Sequence, residues 1–514
     1  MNVADALRDR ARAAPGHPAI LFEGMALGYG ELDARSARLA HGMAAHGIAA
    51  GDRVALFLPN IPEFAVAYYA AQRLGAVVVS ISSAFRTAEV EYLLQDSGAR
   101  VVFTSGDLAG FVPQAGCPML EHVVVVDEAA ADPAAADAMA TPGTAARASL
   151  ADWMSGRPAE FEPVARAPGD AAALLYSSGT TGFPKGVTLT QSNIASNIAS
   201  AAKYAGYRPD DRLAAFLPLF HVYGQNFILN AAVLAGATVS LFRRFVPDEV
   251  LTAIGRDRIT MFFGVPTIFI GLLSMDLSRY DLSSIRFEMS AAATMPEQVS
   301  RQWFARFGRR VYEGYGLTEC SPFACYNDSV EHRFGSVGRA IEGFELAILD
   351  EDDNEVARGE WGEIAIRGPG VMKAYWNRPE DTAHALRSGW LHSGDIGRMD
   401  EDGYVYIVDR VKDMINVSGF KVWPAEVENY LYRMPQVQEV AVYGLPQAES
   451  GEEVAAAVVA RAGERLSAED VIAYCRESIA GYKVPVRVDI VDELPKSPTG
   501  KILKRILREK AGRA

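Results

Sequence analysis

The sequence contains few cysteines, and they are widely spaced. Among its 514 residues there are four, Cys117, Cys320, Cys325 and Cys475. Their intervals match no paired metal-binding motif, and four thiols are too few for a disulfide framework in a chain of this length. We therefore expect a protein of the reducing cytoplasm that has no cysteine-based metal site.

Positive charge is also scarce. The chain has 50 lysines and arginines against 64 aspartates and glutamates, so its formal net charge is -14 at pH 7. Surfaces that bind nucleic acid are usually basic, and this balance argues against DNA or RNA as a partner. Any recognition of a phosphate must therefore be local.

Long apolar runs are missing as well. The most apolar stretch, residues 64–82, is interrupted by Gln72 and Arg73, so we expect no transmembrane segment. The N-terminal MNVADALRDRARAAPG lacks the apolar core of a signal peptide, and its spacing indicates a short amphipathic surface helix. At 49% hydrophobic and 22% charged residues, the chain is long enough for two or more domains with sizeable cores.

What the chain does have is a regular alternation of strand-like and helix-like segments. Residues 52–59 (DRVALFLP) have the pattern of a strand, residues 62–75 that of a helix, and residues 76–82 that of a strand again. This order predicts an α/β fold of parallel sheets covered by helices. The alanine-rich segment 128–148 is low in complexity and contains two prolines, so we interpret it as a surface excursion within a domain.

A domain boundary is expected near residue 409. Before it, short strand-like segments alternate with glycine turns, and after it helices and strands alternate over about a hundred residues, which is a reasonable size for a domain. In this second part Ser467, with Asp470 three residues later, is expected to cap a helix. The sequence therefore predicts an N-terminal domain of residues 1–409 and a C-terminal domain of residues 410–514.

Residues 176–187, YSSGTTGFPKGV, combine small residues, hydroxyl groups and one lysine. Small residues let backbone N–H groups approach an anion closely, and Lys185 adds a positive charge, so phosphate is the expected ligand. The loop is not a Walker motif, because only two residues separate its glycines and Lys185 is followed by glycine. Further hydrogen-bond donors come from the hydroxyls of Ser177, Ser178, Thr180 and Thr181.

The longer string Tyr-Ser-Ser-Gly-Thr-Thr-Gly-x-Pro-Lys-Gly resembles the phosphate-binding signature of the adenylate-forming superfamily. That superfamily comprises acyl-CoA synthetases, firefly-type luciferases and the adenylation domains of peptide synthetases. The C-terminal third most closely resembles bacterial fatty acyl-CoA ligases. Other segments resemble the remaining family motifs, in the family's order: PLFHVYG (218–224), YEGYGLTE (312–319), WLHSGDIG (390–397), DRVKDMINVSGFKVWPAEVE (409–428) and PKSPTGKI (495–502).

The resemblance implies a large N-terminal domain of parallel sheets flanked by helices, with a small β-barrel-like part, and a small mobile C-terminal α+β domain. It also implies that the C-terminal domain rotates about Lys412 between two half-reactions. This rotation would bring Gly419 and Phe420 to the pantetheine of coenzyme A.

ATP and Mg²⁺ are implied as well. Four residues are expected to act directly in the chemistry, namely Lys185, His221, Arg410 and Lys501, with Lys501 approaching the substrate carboxylate and the α-phosphate. Glu319 is expected near Mg²⁺, and the metal ion would offset the negative charge of the phosphates. The resemblance assigns ATP binding to Ser177, Ser178, Gly179, Thr180, Thr181, Gly182, Lys185, Glu313, Gly314, Tyr315, Gly316, Thr318, Asp395 and Arg410.

The acyl pocket is expected to hold a hydrophobic carboxylic acid. Its implied lining is His221, Val222, Tyr223 and Phe227, and the neighbouring segments 262–269 and 320–327 are mainly apolar. Residues 220–226 contain no aspartate that could hold an amino group, which argues against an amino acid substrate. A medium- or long-chain fatty acid and an aryl acid are both expected candidates. A short or functionalised acid stays an alternative, because pocket depth is a three-dimensional property.

The resemblance leaves several readings of the acceptor open. Coenzyme A is favoured, a carrier protein is the alternative, and a luciferase-like oxygenase would share the first half-reaction. A nucleotide-binding regulator without chemistry is disfavoured by the joint presence of Lys185, Glu319, Asp395, Arg410 and Lys501. A homodimer is compatible with the sequence, which does not specify the oligomeric state.

One segment departs from the family pattern. MSAAATMP (289–296) has Ala291 and Ala292 where the family usually has a glycine close to the adenine. We expect this substitution to tighten the adenine wall without removing a charged catalytic group.

Overall fold

The computed structural model describes residues 2–113, 115–127, 145–177, 184–328, 330–410, 413–447 and 451–512. These residues include a π-helical segment, Tyr223–Asn230, and 3₁₀ turns at Thr318–Cys320, Arg387–Gly389 and Gly481–Lys483. In chain order the α-helices are α1 (Asp5–Ala13), α2 (Tyr29–Ala45), α3 (Pro62–Leu74), α4 (Thr87–Ser97), α5 (Gly106–Ala109), α6 (Leu150–Met154), α7 (Gln191–Tyr204), α8 (Ala231–Ala235), α9 (Pro247–Asp257), α10 (Pro266–Leu273), α11 (Glu297–Phe307), α12 (Pro379–Ala385), α13 (Pro424–Leu431), α14 (Ala468–Ser478) and α15 (Lys504–Ala511).

The strands are, in chain order, β1 (Pro18–Phe22), β2 (Met25–Gly28), β3 (Arg53–Phe57), β4 (Val77–Ser80), β5 (Val101–Thr104), β6 (His122–Val125), β7 (Ala146–Ser149), β8 (Ala171–Ser177), β9 (Lys185–Thr190), β10 (Arg212–Ala215), β11 (Thr238–Leu241), β12 (Met261–Gly264), β13 (Phe287–Ser290), β14 (Val311–Tyr315), β15 (Cys325–Asn327), β16 (Arg339–Ala340), β17 (Glu345–Leu349), β18 (Trp361–Arg367), β19 (Ala374–Tyr375), β20 (Leu391–Met399), β21 (Val405–Arg410), β22 (Ile415–Val417), β23 (Phe420–Val422), β24 (Val437–Gln447), β25 (Gly451–Ala460) and β26 (Arg487–Ile490).

Two large sheets carry most of the N-terminal part. The first has the strand order β19-β9-β8-β4-β3-β5-β6-β7, and the second has the order β16-β15-β14-β13-β12-β10-β11-β1-β2. In both sheets the central strands are parallel, and antiparallel strands are added at the edges. The α/β fold predicted from the alternation is therefore confirmed. Ligands of such sheets usually bind beyond the carboxyl ends of the parallel strands.

Helix α3 shows why the alternation was readable from the sequence. Pro62 begins the helix, where its missing N–H costs nothing, and Gly75 ends it in a left-handed conformation with φ of 74°. All but one of its residues are buried, because the helix packs on both the sheet and a neighbouring helix, α2. Its sequence is correspondingly apolar over most of its length, and the polar Gln72 and Arg73 near its end are buried as well.

The third and fourth sheets follow in the chain. The third contains four antiparallel strands in the order β17-β18-β20-β21 and supplies the small all-β part. The fourth contains the five strands β22, β23, β24, β25 and β26 of the C-terminal part and packs against α13 and α15. The predicted boundary at residues 409 and 410 falls within β21, which ends at Arg410, and the division into two domains stays a prediction.

Several local predictions can be compared with the structure. Helix α1 is amphipathic and buries Leu7 and Ala11. The Ser467 hydroxyl accepts a hydrogen bond from the Asp470 N–H at 3.1 Å, which confirms the predicted helix cap. The predicted excursion lies largely in residues 128–144, outside the described residues, but its last residues belong to the edge strand β7. Every helix in the described part of the chain is too short or too polar to span a bilayer.

Candidate active site

The phosphate-loop lysine lies at the base of a hairpin. Strands β8 and β9 are antiparallel, and Ser177 pairs with Lys185 across the hairpin. The Lys185 Nζ is 2.5 Å from Oδ1 of Asp381 and 5.3 Å from the centre of the Tyr375 ring. The loop residues predicted to bind phosphate lie outside the described residues: Ser178, Gly179, Thr180, Thr181 and Gly182.

The segment that follows β14 turns sharply into a 3₁₀ helix, Thr318–Cys320. A β-carbon at Gly316 would lie 1.8 Å from the carbonyl oxygen of Pro322, so only glycine fits this turn. The turn presents Thr318 and the buried Glu319 just beyond the carboxyl end of β14. The site thus lies where ligands of parallel sheets usually bind.

Three predicted nucleotide-binding residues form one connected group. The Tyr315 hydroxyl donates a hydrogen bond to Oδ2 of Asp395 at 2.8 Å, and Nε of Arg410 lies 3.1 Å from Oδ1 of the same carboxylate. Asp395 and Arg410 also pair across β20 and β21. The negative charge of Asp395 raises the Arg410 pKa, so this guanidinium remains charged.

Glu319 is the predicted metal-binding residue. Its side chain is buried, and its Oε1 accepts a hydrogen bond from the Tyr375 hydroxyl at 2.8 Å. The described residues hold no group of three or more histidine, cysteine, aspartate or glutamate side chains arranged for a metal. A single carboxylate fits Mg²⁺ that arrives with a polyphosphate, because Mg²⁺ keeps several waters and is commonly held by one or two carboxylates plus substrate phosphates.

Glu313 lies on β14 in an unusual environment. Only 3% of the residue is exposed, and its Oε1 has no hydrogen-bond partner. Burial, helped by the nearby charge of Glu297, raises the Glu313 pKa well above its usual value. A buried carboxyl without a hydrogen-bond partner lowers the stability of the fold. Such groups are common at functional sites, where a polar ligand completes the hydrogen bonding.

We expect Glu313→Gln to increase the free energy of unfolding at pH 8, by about 1.4 kcal/mol for each unit by which folding raises the Glu313 pKa. The raised folded-state pKa means that the native protein binds more protons than the unfolded chain above pH 4.5. Stability is therefore lost as the pH rises from 4.5, and glutamine removes this loss. Urea unfolding at pH 5 and pH 8 measures the effect. The exposed Glu380→Gln is the control, and an equal gain at both pH values would contradict the prediction.

The departure from the family pattern, Ala291 and Ala292, directly follows β13, the strand that pairs with β14. Ser290 on β13 pairs with Glu313 on β14, so the alanines that follow β13 lie beside the predicted adenine site. Ala292 adopts a φ of 71°, a left-handed conformation that is strained for any residue with a β-carbon. The backbone at Ala292 therefore has a conformation that suits glycine better than alanine.

His221 lies between the acyl segment and the C-terminal lysine. Its Nδ1 accepts a hydrogen bond from the Tyr223 N–H at 3.3 Å. Burial, followed by the positive charge of Lys501, lowers the His221 pKa to about 3, so the ring is neutral at physiological pH. The structure thus brings together two predicted residues from distant parts of the chain. The Thr267 hydroxyl, which donates to the Gly500 carbonyl at 3.2 Å, anchors the lysine loop here.

The acyl segment is a π-helix, Tyr223–Asn230, which the sequence did not predict. Such helices are rare and frequently occur at functional sites. Val222, Tyr223 and Phe227 are all buried. The Phe227 ring packs edge-on against Phe323 at 5.0 Å and Phe263 at 5.9 Å between ring centres. Aromatic side chains from all three predicted apolar segments therefore meet at one place. Gly314 lies beside these rings, because a β-carbon at this position would be 3.2 Å from the Phe323 ring.

The predicted coenzyme A residues lie apart from this group. Gly419 and Phe420 are at the exposed tip of the hairpin formed by β22 and β23. Phe420 is 56% exposed, and its ring stacks on Tyr482 at 4.7 Å. Lys412, the predicted hinge, lies outside the described residues. Sequence reasoning also missed Tyr375 and Asp381, because no charge or motif pattern links them to Lys185.

Comparison with known proteins agrees with this geometry. Residues 7–376 match the family described as AMP-binding enzyme, and residues 426–501 match the AMP-binding enzyme C-terminal domain. The chain belongs to the AMP-binding enzyme family. Feruloyl-CoA synthase of an Amycolatopsis species is 37% identical over 506 residues, covering 98% of each chain. A long-chain-fatty-acid–CoA ligase of Bacillus subtilis is 36% identical over 528 residues, covering 98% of this chain and 93% of the relative.

Solved structures of family members superpose closely. The anthranilate CoA ligase AuaEII in complex with anthranoyl-AMP has a TM-score of 0.91 at 29% identity, covering 99% of this chain and 97% of the other. ATP-bound MatB from Rhodopseudomonas palustris has a TM-score of 0.89 at 32% identity, covering 99% of each. The family resemblance read from the motifs is therefore confirmed, and so is the expectation of an enzyme.

Proposed function

We propose that this AMP-binding enzyme joins a hydrophobic carboxylic acid to coenzyme A through an acyl-adenylate, releasing AMP and pyrophosphate. The observation that carries the proposal is the approach of Lys501 to His221 at the acyl segment. The Thr267–Gly500 hydrogen bond holds the C-terminal motif here, so its cation lies near the acyl segment, where the acid and the nucleotide would meet. A protein that only binds nucleotide would not need a lysine beside the acyl segment.

In the first half-reaction the substrate carboxylate attacks the α-phosphorus of ATP, and pyrophosphate leaves. Lys501 stabilises the negative charge that develops between carboxylate and phosphate, while Lys185 holds the departing phosphates. Bound Mg²⁺ would supply further charge neutralisation at the phosphates, with Glu319 holding it. Because His221 is neutral, Lys501 is the cation that faces the carboxylate.

The group of Tyr315, Asp395 and Arg410 suits the nucleoside. In the proposed assignment Asp395 accepts hydrogen bonds from the ribose hydroxyls, since each of its oxygens keeps a lone pair beyond its protein partner. Tyr315 orients the carboxylate and offers a ring face to adenine. Arg410 stays beside the ribose and the α-phosphate.

The acyl end of the site favours an apolar acid. The rings of Tyr223, Phe227, Phe263 and Phe323 give edge and face contacts that suit an aryl group or a medium or long alkyl chain. Both classes occur among the relatives, as their names feruloyl-CoA synthase and long-chain-fatty-acid–CoA ligase state. We propose one of these two classes as the substrate.

In the second half-reaction a thiol attacks the acyl carbonyl and AMP leaves. We propose that the C-terminal domain, residues 410–514, first rotates about Lys412 and brings Gly419 and Phe420 to the pantetheine. The exposed Phe420–Tyr482 pair supports this role, because exposed stacked rings are suited to cover an incoming chain. A carrier protein is the alternative donor of the thiol.

The test is a mass-spectrometric search for products from ATP, Mg²⁺, coenzyme A and a panel of acids. The panel contains short, medium and long fatty acids, benzoate, cinnamates and malonate. A coenzyme A thioester from an aryl or fatty acid is the expected result. Acyl-adenylate without thioester would show that another acceptor replaces coenzyme A, and no adenylate with any acid would overturn the proposal.

Two further expectations belong to the same proposal. All four cysteines are free thiols, which suits a reducing cytoplasm. A homodimer stays a prediction that light scattering coupled to size-exclusion chromatography would test. A monomer mass would leave the catalytic proposal intact, because the residues assigned to it come from one chain.

A further inference from the structure

Tyr375 connects two parts of the site that belong to different sheets. It lies on the two-residue strand β19, where it pairs with Val187 of β9 at the edge of the eight-stranded sheet. Its hydroxyl donates to Oε1 of Glu319 at 2.8 Å, and Glu319 follows β14 of the nine-stranded sheet. The Tyr375 side chain therefore connects the β8–β9 hairpin, which carries Lys185, with the Glu319 carboxylate.

The ring of the same tyrosine faces the phosphate-loop lysine. The Lys185 Nζ is 5.3 Å from the Tyr375 ring centre, within the range of an attractive cation–π contact. The same Nζ is also 2.5 Å from Oδ1 of Asp381. The hydroxyl and the ring of Tyr375 thus contact the two side chains of opposite charge that a polyphosphate–metal complex would meet.

The backbone around Tyr375 is firmly attached. Its own N–H donates to the Thr382 hydroxyl at 3.0 Å, and the next residue, Trp376, donates its N–H to the Gly186 carbonyl at 2.7 Å. The Trp376 indole N–H also donates to the Asp96 carbonyl at 3.1 Å. Bonds on both sides hold Tyr375 in place, so it is suited to orient the Glu319 carboxylate.

We propose that Tyr375 is a positioning residue that aims Glu319 at the metal of the metal–ATP complex and keeps Lys185 beside it. The inference rests on the proposed function, because it takes Glu319 as the residue that holds Mg²⁺. A carboxylate only accepts hydrogen bonds, so the phenol is the donor and fixes the rotation of Glu319. Partners of this kind typically change metal affinity or activity by 10- to 100-fold when they are removed.

The test compares the binding of ATP with and without Mg²⁺ by titration calorimetry, using the full chain and no acid. Tyr375→Phe keeps the ring and removes the hydroxyl. We expect its affinity for ATP in the presence of Mg²⁺ to fall about tenfold, while its affinity for ATP in EDTA stays within about twofold of the original. An unchanged affinity with Mg²⁺, or equal losses under both conditions, would overturn the inference.

Two variants separate this inference from the proposed function. Glu319→Gln should abolish the gain in ATP affinity caused by Mg²⁺, and adding Tyr375→Phe to it should have no further effect. If Glu319→Gln leaves the gain intact, the metal role of Glu319 fails. If Glu319→Gln abolishes the gain in ATP affinity but Tyr375→Phe leaves that gain unchanged, the positioning role fails. Tyr406→Phe is the matched control, because the Tyr406 hydroxyl donates to Asp400 at 3.2 Å in the four-stranded sheet.

The ring is tested by a third substitution. Tyr375→Leu removes both the hydroxyl and the aromatic face. We expect it to lower the affinity for ATP in EDTA by about threefold relative to Tyr375→Phe, since Lys185 loses a cation–π contact. Equal affinities of the two variants in EDTA would show that the ring does not hold the lysine.

Discussion

Lys501→Ala is expected to lower the rate of adenylation by at least about a hundredfold, the usual effect of removing a group that stabilises transition-state charge. The same variant should form thioester from supplied acyl-adenylate at a rate within about twofold of the original. The reason is positional. Lys501 lies close enough to lower the His221 pKa, and Thr267 holds the loop at Gly500 beside it. In the proposed second half-reaction the C-terminal domain takes another orientation and Lys501 is withdrawn.

The two half-reactions can be measured separately. Pyrophosphate release without coenzyme A reports adenylation, and thiol consumption with synthetic acyl-adenylate reports thioester formation. Lys510→Ala is the control, because Lys510 is an exposed lysine on α15 and its removal changes the net charge equally. Equal loss of both half-reactions in Lys501→Ala would contradict a model with two domain orientations.

Gly419→Leu should have the opposite effect. We expect it to slow thioester formation by about a hundredfold, the scale of loss when a reactant is displaced by about an ångström. Adenylation should continue, since Gly419 lies at the exposed tip of the β22–β23 hairpin and not beside His221. In the proposed second orientation this tip borders the pantetheine, where a leucine side chain would occupy the path of the thiol.

The chain offers a matched control for this substitution. Gly419 has a φ of 86° and Gly463 a φ of 85°, and in both cases a β-carbon would meet no atom within 4 Å. Gly463→Leu therefore carries the same left-handed strain, about 1–2 kcal/mol, but lies outside the proposed path of the pantetheine. Both variants should lose similar stability in urea unfolding, and only Gly419→Leu should lose the thiol step. If Gly463→Leu loses it too, strain and not obstruction is the cause.

Much of the fold followed from local patterns. Strand β3, helix α3 and strand β4 were predicted close to their observed bounds, because their residues are buried almost throughout and Pro62 and Gly75 mark the helix ends. The N-cap of α14 at Ser467 was also predicted from neighbouring residues alone. The order of the motifs pointed to the nucleotide chemistry, and Tyr315, Asp395 and Arg410 proved to be in contact. Each of these signals lies within a short stretch of chain.

Other features could not be read in this way. The π-helix at Tyr223–Asn230 leaves no distinct periodicity, because its residues are buried on all sides. The edge strand β7 was interpreted as part of a surface excursion, since its four residues directly follow an alanine-rich segment of low complexity that contains two prolines. The strained φ of Ala292 follows from the backbone path beside β14 and not from the alanine itself.

The sequence by itself determined the α/β class, the family and the charged residues available for adenylation, because patterning and motifs are properties of neighbouring residues. Only the tertiary structure decided which of these residues meet. It brought Lys501 close enough to help lower the His221 pKa, and it added Tyr375 between Lys185 and Glu319. Such contacts depend on how sheet edges and chain ends close in space, and energies between charges and hydrogen-bonding groups follow distance in space and not separation along the chain.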